Sequence, residues 1–140
     1  MKPKERHKAR ALALQAIYQW QFTSDSVNSV ESQFYDAVLK SKADFNYFSE
    51  IIHGVIEHKD LLDDKIRPFL DREIKDLNPV ELAVLRLASY ELTYRLDIPY
   101  KVVINEALDI TKEFGSEDGF KYVNGVLDKI ARSVREIEIK

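Results

Sequence analysis

The sequence predicts an all-α fold, and three observations carry that prediction. Apolar residues recur at spacings of three and four along most of the chain. No segment sustains the strict alternation of a half-buried strand. Four glycines and four prolines in 140 residues also leave little material for hairpins. The expected arrangement is one compact domain over residues 1–140, with about seven helices in two small subbundles meeting near residue 75.

Ala9, Leu12, Ala13, Ala16, Ile17 and Trp20 form one apolar stripe, which predicts a first helix over about residues 4–23. Pro3 suits its start, where a missing N–H costs nothing. Leu14, Tyr18 and Phe22 make a second row, so both sides of this helix should be covered, and Trp20, on the first stripe, should be substantially buried. Asn28 and Glu31 have capping-box spacing and open a second helix through Val30, Phe34, Ala37 and Val38. Asp44 caps a third with Phe45, Phe48, Ile51, Ile52, Val55 and Ile56. A fourth carries Leu61, Leu62, Ile66, Phe69 and Leu70, and Pro68 bends or ends it.

Asn78-Pro79-Val80-Glu81 is the clearest start signal, with an N-cap, proline at N1 and glutamate at N3. The fifth helix runs on through Val84, Leu87, Ala88, Leu92 and Tyr94 to the break at Asp97-Ile98-Pro99. Pro99 begins a sixth, with Val103, Ile104, Ala107, Leu108 and Ile110, closed by Gly115 as a C′ glycine. Ser116, followed by Glu117 and Asp118, starts a seventh with Phe120, Val123, Leu127, Ile130 and Val134. Asn124-Gly125 falls inside that pattern, where glycine costs about 1 kcal/mol relative to alanine. Close approach of another backbone would be the mechanical reason.

A composition of 45% hydrophobic and 32% charged residues is that of a soluble globular chain. The absence of cysteine excludes disulfides and thiolate metal sites. The first apolar run is short, helically spaced and preceded by too many charges for a signal peptide or membrane span. A cytoplasmic protein without a membrane partner is therefore expected.

Charge is unevenly placed. Lys2, Lys4, Arg6, Lys8 and Arg10 stand against Glu5 alone, a formal +4 in ten residues, while the whole chain carries −3. A basic head on an acidic body points to one local site for a polyanion, and here it flows straight into a helix. Arg6, His7 and Arg10 fall within about a turn of each other on a solvated face. Tyr18 follows Arg10 by roughly 12 Å along the helix axis. Cations with an aromatic along one helix suit single-stranded RNA. On spacing alone, Tyr18 also reads as an ordinary half-buried core aromatic.

Catalytic chemistry finds no comparable support. Glu50-Ile51-Ile52-His53 has Glu-x-x-His spacing but lacks the second copy that a di-iron bundle needs. His53 and Glu57, four apart, could touch without making a closed metal site. No phosphate-binding glycine loop or nucleophile elbow is present. The pairs Asp63-Asp64 and Glu117-Asp118 read as solvated faces and helix-start charges. No catalytic residue, no metal site and no cofactor is predicted.

Several blocks, in order, resemble the NusB family of bacterial transcription antitermination factors. They are Arg6-His7-Lys8-Ala9-Arg10 with Leu14-Gln15-Ala16-Ile17-Tyr18, Val80-Glu81, and Ala83-Val84-Leu85-Arg86. Glu91-Leu92, Ile98-Pro99-Tyr100-Lys101-Val102 and Ile104-Asn105-Glu106-Ala107 follow. Phe114-Gly115 and Lys121-Tyr122-Val123-Asn124-Gly125-Val126-Leu127-Asp128 complete the set. The resemblance covers essentially the full length and implies an all-helical fold of two small bundles with a non-enzymatic role.

It further implies binding of boxA-type RNA together with NusE, a small-subunit ribosomal protein, within an RNA polymerase antitermination complex acting notably on ribosomal RNA operons. By the same resemblance, Lys2, Arg6, His7 and Arg10 would donate to RNA. Tyr18, Phe114 and Tyr122 would supply aromatic surface, and Arg86 and Lys121 charge. Asp118 would restrain affinity, because a carboxylate beside RNA is repulsive. Asp76 and Glu81 would offer acidic partners to the basic ribosomal protein. His7 replaces the usual arginine and is only partly charged at neutral pH. Tyr122 stands where phenylalanine is common. A homodimer of the free protein stays open, as do two rival roles: a protein-only helical scaffold, and the NusB-like part of an RNA-modifying system. Against the second, the chain ends where a catalytic domain would need to begin. Against the first stands the basic head.

Overall fold

The computed structural model describes residues 2–139. Among the described residues eight α-helices follow one another: α1 Pro3–Thr23, α2 Val27–Lys40, α3 Phe45–Glu57, α4 Lys59–Ile66, α5 Pro79–Tyr94, α6 Tyr100–Phe114, α7 Glu117–Val134 and α8 Glu136–Ile139. Two 3₁₀ turns, Arg67–Phe69 and Ile74–Asp76, lie between α4 and α5, and the described residues contain no strand. The chain divides into two compact units, residues 1–57 and 58–140. The divide falls before α4, not near residue 75, because α4 packs on α5 and carries the turn-rich stretch after it into the second unit.

In the first unit α1 packs on α3 and α2. Ala9, Ala13 and Ala16 put small side chains on the buried stripe, which lets the neighbouring helices come close, and Ile17 completes it. Phe48, Ile51, Ile52 and Val55 of α3 and Val30 and Val38 of α2 fill the rest of this core. Each such large side chain contributes about 1.5–3 kcal/mol on burial. Asp44 caps α3, its Oδ1 accepting from the Tyr47 N–H at 3.1 Å.

The second helix starts differently from its sequence signal. Ser26, not Asn28, is the cap, with Oγ accepting from Ser29 N–H at 3.2 Å. Glu31 is drawn instead toward α3, where it meets Ser49 and His53. The second row of α1 is also less covered than its composition suggests. Leu14 is buried, Tyr18 is 39% exposed and Phe22 65%. Trp20 keeps much of its side chain covered but is not fully buried, because full burial of the stripe stops one turn earlier at Ile17.

In the second unit α5 is the axis, packed by α4, α6 and α7 and buried without a break from Glu81 to Leu92. Asn78 caps it, its Oδ1 accepting from Val80 N–H at 2.8 Å and Glu81 N–H at 3.3 Å, with Pro79 at N1. The far end is closed by Arg135, a residue no motif singled out. Its guanidinium donates to the carbonyls of Leu92 (2.7 Å), Arg95 (2.9 Å), Ile98 (3.0 Å) and Glu91 (3.3 Å). A cation at a helix C-terminus also complements the dipole. Glu138 of α8 accepts from Arg135 and from the Tyr100 N–H, which holds its carboxyl below the usual range.

Gly115 ends α6 with φ −111°, so it is not the left-handed C′ residue expected. Its requirement is steric: a Cβ there would sit 2.9 Å from the Thr111 carbonyl oxygen. Ser116 then caps α7, Oγ accepting from Gly119 N–H at 2.9 Å.

Candidate nucleic-acid interface

On the first unit, the basic head is only partly a solvated face. Lys2 and Lys4 are exposed, and Arg6, His7 and Lys8 are half-buried. Arg10 is 2% exposed, contrary to the open position expected of it. The cause is Tyr47 on α3: Arg6 Cζ lies 4.6 Å from its ring centroid and Arg10 Cζ 5.3 Å. One turn apart on α1, the two arginines grip the same aromatic ring, a cation–π arrangement that fixes the helix while Arg6 keeps some contact with solvent. Arg6 Nε is buried and has no hydrogen-bond partner among the described residues. Lys8 Nζ donates to the Ser41 carbonyl at 3.1 Å. Further along α1, Tyr18 and Phe22 stack edge to face at 5.1 Å between centroids and offer aromatic surface to solvent.

On the second unit, Phe114, Asp118 and Lys121 are exposed around the α6–α7 turn, with Tyr122 half-buried beside them. A groove there is lined by Lys112, Gly115, Ser116, Glu117, Phe120 and Lys121. Lys112 Nζ stands 5.1 Å from the Phe120 ring centroid. From sequence, Phe120 reads only as part of the apolar face of α7 and Lys112 carries no signal; the two meet because the α6–α7 turn folds one helix end back on the other.

Tyr122 is engaged from the 70–73 segment. Its hydroxyl donates to Asp71 Oδ1 at 3.1 Å, and Arg72 Cζ lies 4.7 Å over its ring. Arg72 forks back onto Asp71, Nε to Oδ1 at 2.7 Å and Nη2 to Oδ2 at 3.1 Å. That hydrogen bonding holds the Asp71 carboxyl below the usual range and raises the guanidinium further. Burial, then the bond to Asp71, pushes the Tyr122 hydroxyl up.

Arg86 is not part of any open surface. It is 4% exposed and makes a bidentate pair with Asp63, both bonds at 2.9 Å, because α5 turns this position toward α4. Lys59 reaches the same carboxylate at 3.4 Å. Asp63 is thus half of a buried ion pair, not a solvated acid. Glu81 is likewise withdrawn, at 9% exposed. Its carboxylate lies against the first turn of α7, where a Cβ on Gly119 would come within 2.8 Å of Oε2. Burial raises its carboxyl pKa, and Arg72 partly opposes that rise. Asp76 remains exposed in its 3₁₀ turn. His53 lies between Glu31 (3.4 Å) and Glu57 (3.5 Å). Among the described residues, no group of three or more His, Cys, Asp or Glu could hold a metal ion. No described helix is long and apolar enough to cross a membrane.

The model of the NusB family matches residues 7–132, nearly the whole chain. The chain belongs to the NusB family. The transcription antitermination protein NusB of Idiomarina loihiensis is 53% identical over 135 residues, covering 96% of this chain and 97% of its own length. That of Shewanella amazonensis is 52% identical over 130 residues, covering 93% and 97%. Among solved structures, T. maritima NusB superposes with a TM-score of 0.79 at 35% identity, covering 91% of this chain and 90% of that one. The NusB fold recurs at TM-score 0.82 and 24% identity in a structure of antitermination factors NusB and NusE with dsRNA, covering 94% and 99%.

Proposed function

We propose that this protein binds boxA-type single-stranded RNA together with NusE and promotes processive transcription of ribosomal RNA operons as part of an RNA polymerase antitermination complex. The observation that carries this reading is the match to NusB proteins over nearly the full length of both chains. A NusB of the same fold has been solved with NusE and dsRNA, which supports NusE and RNA as the classes of partner.

The contacts proposed for RNA are cations and aromatics that keep at least part of their side chain at the surface: Lys2 just before α1, Arg6, His7 and Tyr18 on α1, and Phe114, Lys121 and Tyr122 at the α6–α7 turn. Asp118 lies among the latter as a restraint. Arg10 and Arg86 act indirectly, by holding the helices that present these side chains. Asp76 is the acidic residue still open to a basic ribosomal protein.

The test is a titration of the protein against boxA-like and scrambled RNA, with and without NusE. Preference for the boxA-like strand, tightened by NusE, supports the reading. The coupling is reciprocal, so RNA tightens NusE capture by the same factor. Equal affinity for both strands in the presence of NusE overturns it. Asp76→Lys should weaken NusE capture and leave RNA binding by the free protein intact.

A further inference from the structure

The geometry points to Asp71 as an internal competitor for RNA phosphate: its carboxylate occupies the Arg72 guanidinium and the Tyr122 hydroxyl, two groups an incoming strand would otherwise engage. This rests on the RNA reading above and adds to it a residue that sets affinity.

The argument starts from donor geometry. An arginine fork matches a carboxylate and a phosphate equally well, because both present two oxygens in the guanidinium plane. Arg72 uses Nε and Nη2 in that way, on the two oxygens of the residue preceding it. The same Asp71 Oδ1 also accepts from Tyr122. One carboxylate therefore ties together a cation, a hydroxyl and a ring that Arg72 covers on one side. Tyr122 neighbours Lys121, so the tie sits at the edge of the proposed RNA surface.

The tie is also built to yield. Asp71 and Arg72 are both exposed, in a segment between two 3₁₀ turns with no helix to hold it. Exposed ion pairs hold weakly. A phosphate carrying its own charge competes with the carboxylate for this fork, so the wild type makes the contact only part of the time, and Arg72 bridges strand and ring when it does. The hydroxyl of Tyr122 is what lets Asp71 hold the ring as well as the cation; a phenylalanine there could not be held by its ring edge in this way.

The experiment measures anisotropy of a labelled boxA-like RNA with the wild type, Asp71→Asn, Arg72→Gln and the double variant, across a salt series. Asp64→Asn serves as the charge control, since Asp64 is also exposed and pairs with Arg67 at 2.7 Å elsewhere in the unit. Asp71→Asn should tighten binding by roughly two- to fivefold, the range an exposed pair is worth. Its salt slope should steepen by up to about 0.7, the value of one full phosphate contact on a single strand. Asp64→Asn should change neither. In the Arg72→Gln background the gain should vanish, since no cation is left to release. An unchanged affinity and slope for Asp71→Asn, with the wild type still binding, overturns the inference. So does an equal gain in both backgrounds, which would make Asp71 a bare repulsive charge. A wild type that binds no RNA at all removes the RNA reading first, a result distinct from either.

Discussion

The Arg86–Asp63 pair separates a structural arginine from an RNA-binding one. Both side chains are almost fully enclosed, at 5% and 4% side-chain exposure, and joined by two bonds of 2.9 Å. Asp63→Ala leaves the guanidinium buried without its main counter-charge, and breaking such a pair costs about 3–5 kcal/mol. For a chain of this size, each kcal/mol moves the thermal midpoint by about 3–5 °C, so the loss should be on the order of 10–20 °C. Replacing both partners, Asp63→Leu with Arg86→Met, removes the charges together and should recover most or all of that loss. Lys59, the other neighbour of Asp63, is partly exposed and can turn to water. Melts followed by circular dichroism give the stabilities, and RNA titration of the folded double variant gives the function. Its affinity and salt slope should equal those of the wild type. A slope reduced by about 0.7 with the fold intact would show a lost phosphate contact and refute the structural role assigned to Arg86.

Arg10→Ala should destabilise by about 1–2 kcal/mol through its lost contact with Tyr47, whereas Lys4→Ala should stay within about 0.5 kcal/mol; paired chemical melts check both. Gly125→Ala should stabilise by about 1 kcal/mol, because a Cβ there meets nothing within 4 Å and alanine favours the helix; an unstable variant in a denaturant melt would contradict that open space. Glu81→Gln should raise the thermal midpoint at pH 7, where the wild type keeps a charged carboxylate against the cost of burial. That advantage should shrink as pH falls, since a carboxyl raised in the fold takes up its proton there first and its penalty disappears. A constant difference from pH 7 to 4 would show that burial of the charge is not the cause.

Caps and apolar periods were legible in the chain because they are local. Asp44, Asn78 and Ser116 each cap the helix predicted for them, since the donors they satisfy lie two or three residues on. Ser26 and Asn28 are both good caps two residues apart, and spacing alone does not rank them. The pull of Ser49 and His53 on Glu31, which breaks the Asn28 box, comes from another helix. Arg10 and Arg86 show the larger gap. A basic residue in a helical pattern reads as exposed unless its partner is known, and the partners stand 37 and 23 residues away. For Arg86 a signal did exist: the apolar residues on every side of it left no solvent face on α5. Glu81 misled for the opposite reason, since its place as a good N3 residue says nothing of the helix start that covers it.

Arg135 makes the order of synthesis matter. The carbonyls of Glu91, Leu92, Arg95 and Ile98 wait for a donor 37 to 44 residues downstream, while the first unit closes on contacts made entirely within residues 1–57. On a ribosome, where N-terminal parts fold first, the corner between α5 and α6 must stay unlocked until the whole of α7 and Arg135 behind it have emerged. The nascent protein therefore passes through a stage in which its α1 surface is already formed and its α6–α7 surface is not.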